Sequence, residues 1–170
     1  MIDIIRKNYC IFQVFVYAIG FCCAICEAAT QVSSQKYRSL RSNEVNWRSG
    51  PGYENPIEWI YKRFGLPVLV IREFSNWAYI RDSYGTCGWV NKNFLSNKKT
   101  VVVTSEESHM NSRPDGTGRT VAILKKGVIC RIYKITNGRC YVSTQDKKYS
   151  GWIEKSDCWG GADFSGDDYQ

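Results

Sequence analysis

Catalysis needs a nucleophile held beside a base, or two carboxylates converging on one bond. The 170-residue chain has one histidine, His109 in "SEESHMNSR", which reads as an exposed residue of a polar joint. Its acidic residues are scattered. Glu106 and Glu107 share that joint, and Asp163, Asp167 and Asp168 crowd the terminal "GGADFSGDDYQ", so 161–170 reads as an acidic flexible tail. No Gly-rich loop leads into a helix and no metal-ligand cluster is spelled out. The expectation is a chain that is not an enzyme, with no catalytic residue, metal or cofactor. What stands out instead is flat rings and cations: Tyr53, Trp59, Tyr61, Trp77 and Trp89, in a chain of formal charge +7. That combination points to contact with a partner and attraction of anionic polymers.

Beyond the N-terminal segment stand four cysteines, Cys87, Cys130, Cys140 and Cys158. Their separations of 43, 10 and 18 residues lack the close ligand pairs of structural zinc sites. In an exported chain an even number makes all four disulfide candidates, with three possible pairings that sequence does not rank. The alternative is buried thiols: Cys130 falls in the inward alternation Val128, Cys130, Ile132.

Export is the reading of the start of the chain. Arg6 and Lys7 precede an apolar stretch from Tyr9 to Ile25, and small residues follow at Ala28 and Ala29, the order of a signal peptide over 1–28. A cut after Ala28 puts Cys26 at the third position before it. At about 17 residues the stretch also meets the lower limit for spanning a bilayer, so a retained anchor, the one expected membrane contact, stays open. Phe21, Cys22 and Ile25 stand where a lipid-attachment motif wants small residues. Arg6 and Lys7 balance Asp3 and Glu27, so the mature chain keeps its charge of +7. The expected localisation is the periplasm or cell envelope.

The elements that must carry the rings come from a repeat. "VNWRSGPG" (45–52) answers "MNSRPDGT" (110–117), "FGLPVLVI" (64–71) answers "KGVICRIY" (126–133), "WAYI" (77–80) answers "RCYV" (139–142), and "CGWV" (87–90) answers "SGWI" (150–153). The offsets are 65 for Arg48 to Arg113, 62 for Gly65 to Gly127, 62 for Tyr79 to Tyr141 and 63 for Trp89 to Trp152. Two copies of one unit follow, joined near the polar "SNKKT" of 96–100. Each reads as short strands of period two with tight turns, "EFSN" in one copy and "TNGR" with its Asn-Gly in the other. Only "NPIEWIYKRF" (55–64) has room for one helical turn.

These words in this order resemble the bacterial SH3 family found in exported bacterial proteins, whose units open on N-x-R-S-G-P, continue through G-x-x-V-x-V and W-x-x-I/V, and close on G-W-V and a Leu. The resemblance covers 37–95 strongly and 103–160 more weakly. It implies an all-β chain of two tandem small SH3-like β-barrels, 36–98 and 103–160. In the second copy Ser112 is expected where Trp47 stands, and Arg139 where Trp77 stands.

At the corner "RSGPG", Gly50 and Gly52 are expected to supply positive φ and Pro51 to fix the chain's departure into a long loop, "YENPIEWIYKRF". Arg48 is expected to hold loop carbonyls with its guanidinium fork, or else to help hold an anionic ligand. The resemblance places Tyr53, Trp59, Tyr61, Trp77 and Trp89 in the regions that line the ligand groove of SH3-like barrels; for Trp89, repeated as Trp152, a place in the core is the alternative. Residues 36–99 carry eleven Lys and Arg against five Asp and Glu, and 100–160 ten against six, so both copies are basic. The expected function is non-enzymatic binding of cell-envelope material, such as peptidoglycan stem peptides or another anionic polymer. The alternative is docking to another envelope protein, or a structural scaffold in the periplasm. Nucleic acid is not an expected partner, because export removes the usual target.

Overall fold

The computed structural model describes residues 36–161. The expected signal segment and the acidic tail from 162 onward lie outside them. The described residues form one compact unit. The first copy runs β1 (Lys36–Leu40), β2 (Val45–Arg48), β3 (Ile57–Tyr61), β4 (Pro67–Phe74), β5 (Trp77–Arg81), β6 (Cys87–Asn91), a 3-10 turn (Lys92–Phe94) and β7 (Leu95–Ser96). The second runs β8 (Thr100–Val103), β9 (Glu107–Asn111), β10 (Thr120–Lys125), β11 (Ile129–Thr136), β12 (Arg139–Thr144), β13 (Ser150–Glu154), a 3-10 turn (Lys155–Asp157) and β14 (Cys158–Trp159).

Each copy is a seven-stranded antiparallel sheet, ordered β3-β2-β6-β5-β4-β1-β7 and β10-β9-β13-β12-β11-β8-β14. The match of the two orders, strand for strand, is the repeat of the sequence made visible. The expected closed barrels are not formed. One edge is β3, paired with β2, and the other is a two-residue strand, β7, paired with β1, and no ladder joins the edges. A strand that short supplies too few donors and acceptors to close the ring. The expected helical turn in 55–64 is likewise absent: Ile57, Trp59, Ile60 and Tyr61 extend as β3 on β2, as aromatic and β-branched residues favour. His109 belongs to β9, opposite Ile123, rather than to a joint.

Alternation builds both cores. Val45, Trp47, Val68, Val70, Ala78, Ile80 and Val90 fill the first; Val101, Val103, Met110, Cys130, Ile132, Cys140, Val142 and Ile153 fill the second. Strand register corrects one equivalence drawn from words alone. Arg48 stands opposite Trp89 in the first sheet, and Asn111 stands opposite Trp152 in the second. The offset is therefore 63 throughout β2 and β9, Met110 occupies the place of Trp47, and Asn111, not Arg113, occupies the place of Arg48.

The two sheets touch through a face that the second turns outward. On β8, Val101 and Val103 point into the second core, while Val102 between them packs into the first, together with Ile129 and the half-buried Trp159. The Trp159 ring meets Tyr37 edge-on at 5.2 Å. Polar seams tie the joint: Thr100 Oγ1 donates to the Gly65 carbonyl (2.7 Å), and Gln145 Nε2 donates to the Phe64 carbonyl (2.9 Å). Full burial of each such apolar side chain contributes about 1.5–3 kcal/mol. Among the described residues no helix is long and apolar enough to cross a membrane.

Candidate functional site

The five rings singled out in the sequence separate into two neighbourhoods. The first is a hollow of about 460 Å³ lined by Trp47, Trp59, Tyr61, Arg63, Asp82 and Tyr84, among others. Its floor is rigid. Tyr61 is buried and stacks flat on Trp47, with centroids 5.8 Å apart and planes at 1°. Its hydroxyl donates to Asp82 Oδ2 at 2.9 Å. Burial, and then that hydrogen bond to a carboxylate, push the Tyr61 pKa well above its ordinary value. Asp82 in turn takes the backbone N–H groups of Tyr84 and Thr86 on Oδ1, each at 2.9 Å, which shapes the β5–β6 turn and holds Tyr84 at its tip.

The walls are open. Trp59 pairs across the strands with Trp47 yet is 61% exposed, and Tyr84 is 79% exposed. Trp59 follows the inward alternation of Tyr61 and stands opposite the buried Trp47, but it lies on the edge strand β3 and its ring is left uncovered. Lys62 and Arg63 complete the rim. Two uncovered rings over a fixed polar floor suit the stacking and hydrogen bonding of a ligand segment.

The second neighbourhood is the Arg48 corner. Arg48 Nη1 donates to the carbonyls of Tyr53 (3.1 Å) and Asn55 (2.6 Å), and its guanidinium lies 5.5 Å from the Tyr53 ring centre. Tyr53 meets Trp77 edge-on at 5.1 Å and accepts from Asn91 Nδ2 at 3.0 Å. Beside it Arg72 covers Tyr79 (4.7 Å) and Trp89 (5.2 Å). Trp77 and Trp89 are buried here, so of the five rings only Tyr53 and Trp59 present large faces to solvent, and they do so in separate places.

Gly50 and Gly52 differ from expectation. Neither has positive φ. The loop's side chains lie over them: a Cβ built on Gly50 would come within 2.4 Å of the Asn55 amide oxygen, and one on Gly52 within 1.9 Å of the Glu54 carboxylate, which at the end of a flexible side chain can swing aside.

In the second copy the loop packs on Arg139, which is paired with Glu154, instead of on a tryptophan. The four candidate cysteines are all free thiols. Among the described residues no group of three His, Cys, Asp or Glu is arranged to hold a metal ion. Tyr84 and Asp82 were missed in the sequence, although an aromatic in the turn "DSYGT" has no core to fill and could have been noticed on that ground.

The family model described as Bacterial SH3 domain matches the chain twice, at residues 41–97 and 104–160. The same spacing of 63 that relates Trp89 to Trp152 separates the two matched segments. No curated protein matches the chain. Among solved structures it is similar to NlpC2 from Trichomonas vaginalis (15% identity, 74% of this chain and 48% of that one, TM-score 0.35) and to NlpC1 from the same organism (17%, 76% and 47%, 0.35). It is similar as well to an NlpC/P60 family protein from Bacillus cereus (11%, 74% and 56%, 0.34). The chain spans about half the length of these proteins.

Proposed function

The chain belongs to the bacterial SH3 domain family, in two tandem copies, and from that premise we propose that it is a non-enzymatic binding module of the cell envelope. Its first copy engages peptidoglycan stem peptides in the Trp59 hollow. The observation that carries this reading is the pair of uncovered rings, Trp59 and Tyr84, standing over a floor in which Tyr61 is hydrogen-bonded to Asp82 and stacked on Trp47, whose buried indole N–H has no partner of its own. Large rings left in water at the edge of a cavity serve contact rather than folding. Arg63 and Lys62 at the rim suit the carboxylates of such peptides. The second copy offers no equivalent, since Met110 replaces Trp47 and Ala122, opposite Met110, stands in the place of Trp59.

NMR titration with a soluble stem peptide tests this. Binding in the hollow shifts the indole N–H of Trp59 and the ring resonances of Tyr84 while the Trp77 indole stays in place. Shifts confined to Tyr53 and Trp77, or none at all, overturn it.

A further inference from the structure

The face of the second sheet that docks on the first does not end at the interface. On β11, Ile129 packs into the first core, and the next residues on that face are Arg131 and Tyr133. There the two copies part, leaving a cleft of about 570 Å³. Its lining comes from both copies and the joint, and the residues that matter are Arg41, Phe64, Lys98, Arg131, Tyr133 and Lys147.

The cleft's charge is of one sign. Four cations line it and no carboxylate does. Among the described residues, none of the four makes an ion pair or a side-chain hydrogen bond. The cations paired elsewhere make the contrast: Lys92 with Glu73, Lys125 with Glu107, Lys126 with Glu106, Arg139 with Glu154. Asp146, on the turn beside Lys147, holds Thr144 Oγ1 (2.5 Å) and the Lys148 N–H (3.0 Å) on one oxygen and lines the neighbouring hollow, not this one. Like charges gathered in a concave site focus a positive potential and raise the local concentration of anions.

The site is also built rather than loose. Arg131 is anchored on a central strand, with its guanidinium 5.1 Å from the centre of the Tyr133 ring. Below it, Ser39 Oγ donates to the Lys98 carbonyl at 2.8 Å, and Gln145 bridges to Phe64. In the first copy the matching position, 62 residues earlier, is Leu69, which is buried. The repeat has therefore exchanged an apolar residue for a cation at the one copy where this position opens on a cleft.

We propose that the inter-copy cleft is a second binding site, for a linear polyanion whose phosphate or carboxylate groups recur along a chain. Two arginines provide forks that match either group, and Phe64 and Tyr133 provide apolar walls for the units between charges. This rests on the reading of the protein as an envelope-binding module, but it uses residues distinct from the Trp59 hollow, so the two can fail separately.

The test is equilibrium binding of the full chain to a labelled inorganic polyphosphate and to an oligogalacturonate of matched length, at low and physiological salt. The parent is expected to bind at least one, more weakly as salt rises; whichever binds names the anion. Arg131→Gln combined with Lys98→Gln weakens that binding about tenfold or more, while Trp59→Ala binds as the parent does. Retained thermal unfolding of the double variant separates lost binding from lost fold, and Arg41→Gln alone serves as a milder second variant expected to weaken binding in the same direction. Absence of binding to both polymers at low salt, or binding that neither substitution weakens, overturns the proposal. Tighter binding of a single-stranded DNA oligonucleotide than of either polymer overturns it as well.

Discussion

The indole Nε1 of Trp47 lies 0.7 Å from where a Cβ on Gly88 would stand. The second copy repeats the relationship with different atoms, since a Cβ on Gly151 would come within 2.7 Å of Met110 Cγ and of the Asn111 carbonyl oxygen. The glycine of each G-W-V or G-W-I word is thus fixed by the large side chain facing it. Gly88→Ala displaces a buried, stacked indole and is expected to destabilise the protein by about 1–3 kcal/mol. Urea unfolding measures this, and adding Trp47→Met, which copies the second repeat, should recover part of the loss.

The packing of Val102 and Ile129 into the first core predicts that the two copies unfold as one. Ile129→Asp places an unpaired carboxylate there at a cost of several kcal/mol. Amide exchange of Val68 and Val70 in β4 should then accelerate together with that of β11. Two separate thermal transitions, with β4 untouched by the substitution, would show independent copies.

Alkaline pH should weaken the fold. Burial pushes the Cys130 thiol from an ordinary 9.0 up to about 12. Below pH 9 it is protonated in both the folded and unfolded chain and pH has no effect through it. Between about 9 and 12 only the unfolded chain releases the proton, so stability falls as pH rises, by up to about 1.4 kcal/mol per pH unit. Cys130→Val removes this contribution, and chemical denaturation at pH 8 and 10 measures the difference.

The Cys140 and Cys158 thiols share a hydrogen bond, which lowers the pKa of the first and raises that of the second, and the Lys155 ammonium lies close enough to favour the Cys140 thiolate. Under an oxidant such as oxidised glutathione these two should form the disulfide, losing two protons and passing two electrons to the oxidant. Peptide mapping should find Cys140 joined to Cys158 with Cys130 still a thiol. A bond involving Cys87 would contradict the account.

Strand content and the two-copy plan were legible because period-two burial and the recurring G-W word each act locally. The inward places of Val70, Cys130 and Ile132 could be read from alternation. Register could not: "RSGPG" and "RPDGT" look alike, yet a two-residue slip separates Arg48 from Arg113, and only the ladder opposite Trp89 and Trp152 exposes it. Closure was equally hidden, because it depends on how many residues the last strand contributes. Among the rings, composition could not tell Trp59 from Trp77. Trp59 stands on the edge strand with its ring uncovered, whereas Trp77 is covered by Tyr53 from a loop more than twenty residues earlier.

Sedimentation with insoluble peptidoglycan sacculi tests the central claim most directly. The parent chain should sediment with sacculi, Trp59→Ala should do so with affinity lowered about tenfold, and Phe74→Ala, which removes an equally exposed ring at the β4–β5 hairpin, outside the hollow, should match the parent. Equal sedimentation of Trp59→Ala and the parent, or no sedimentation of the parent at all, would contradict it.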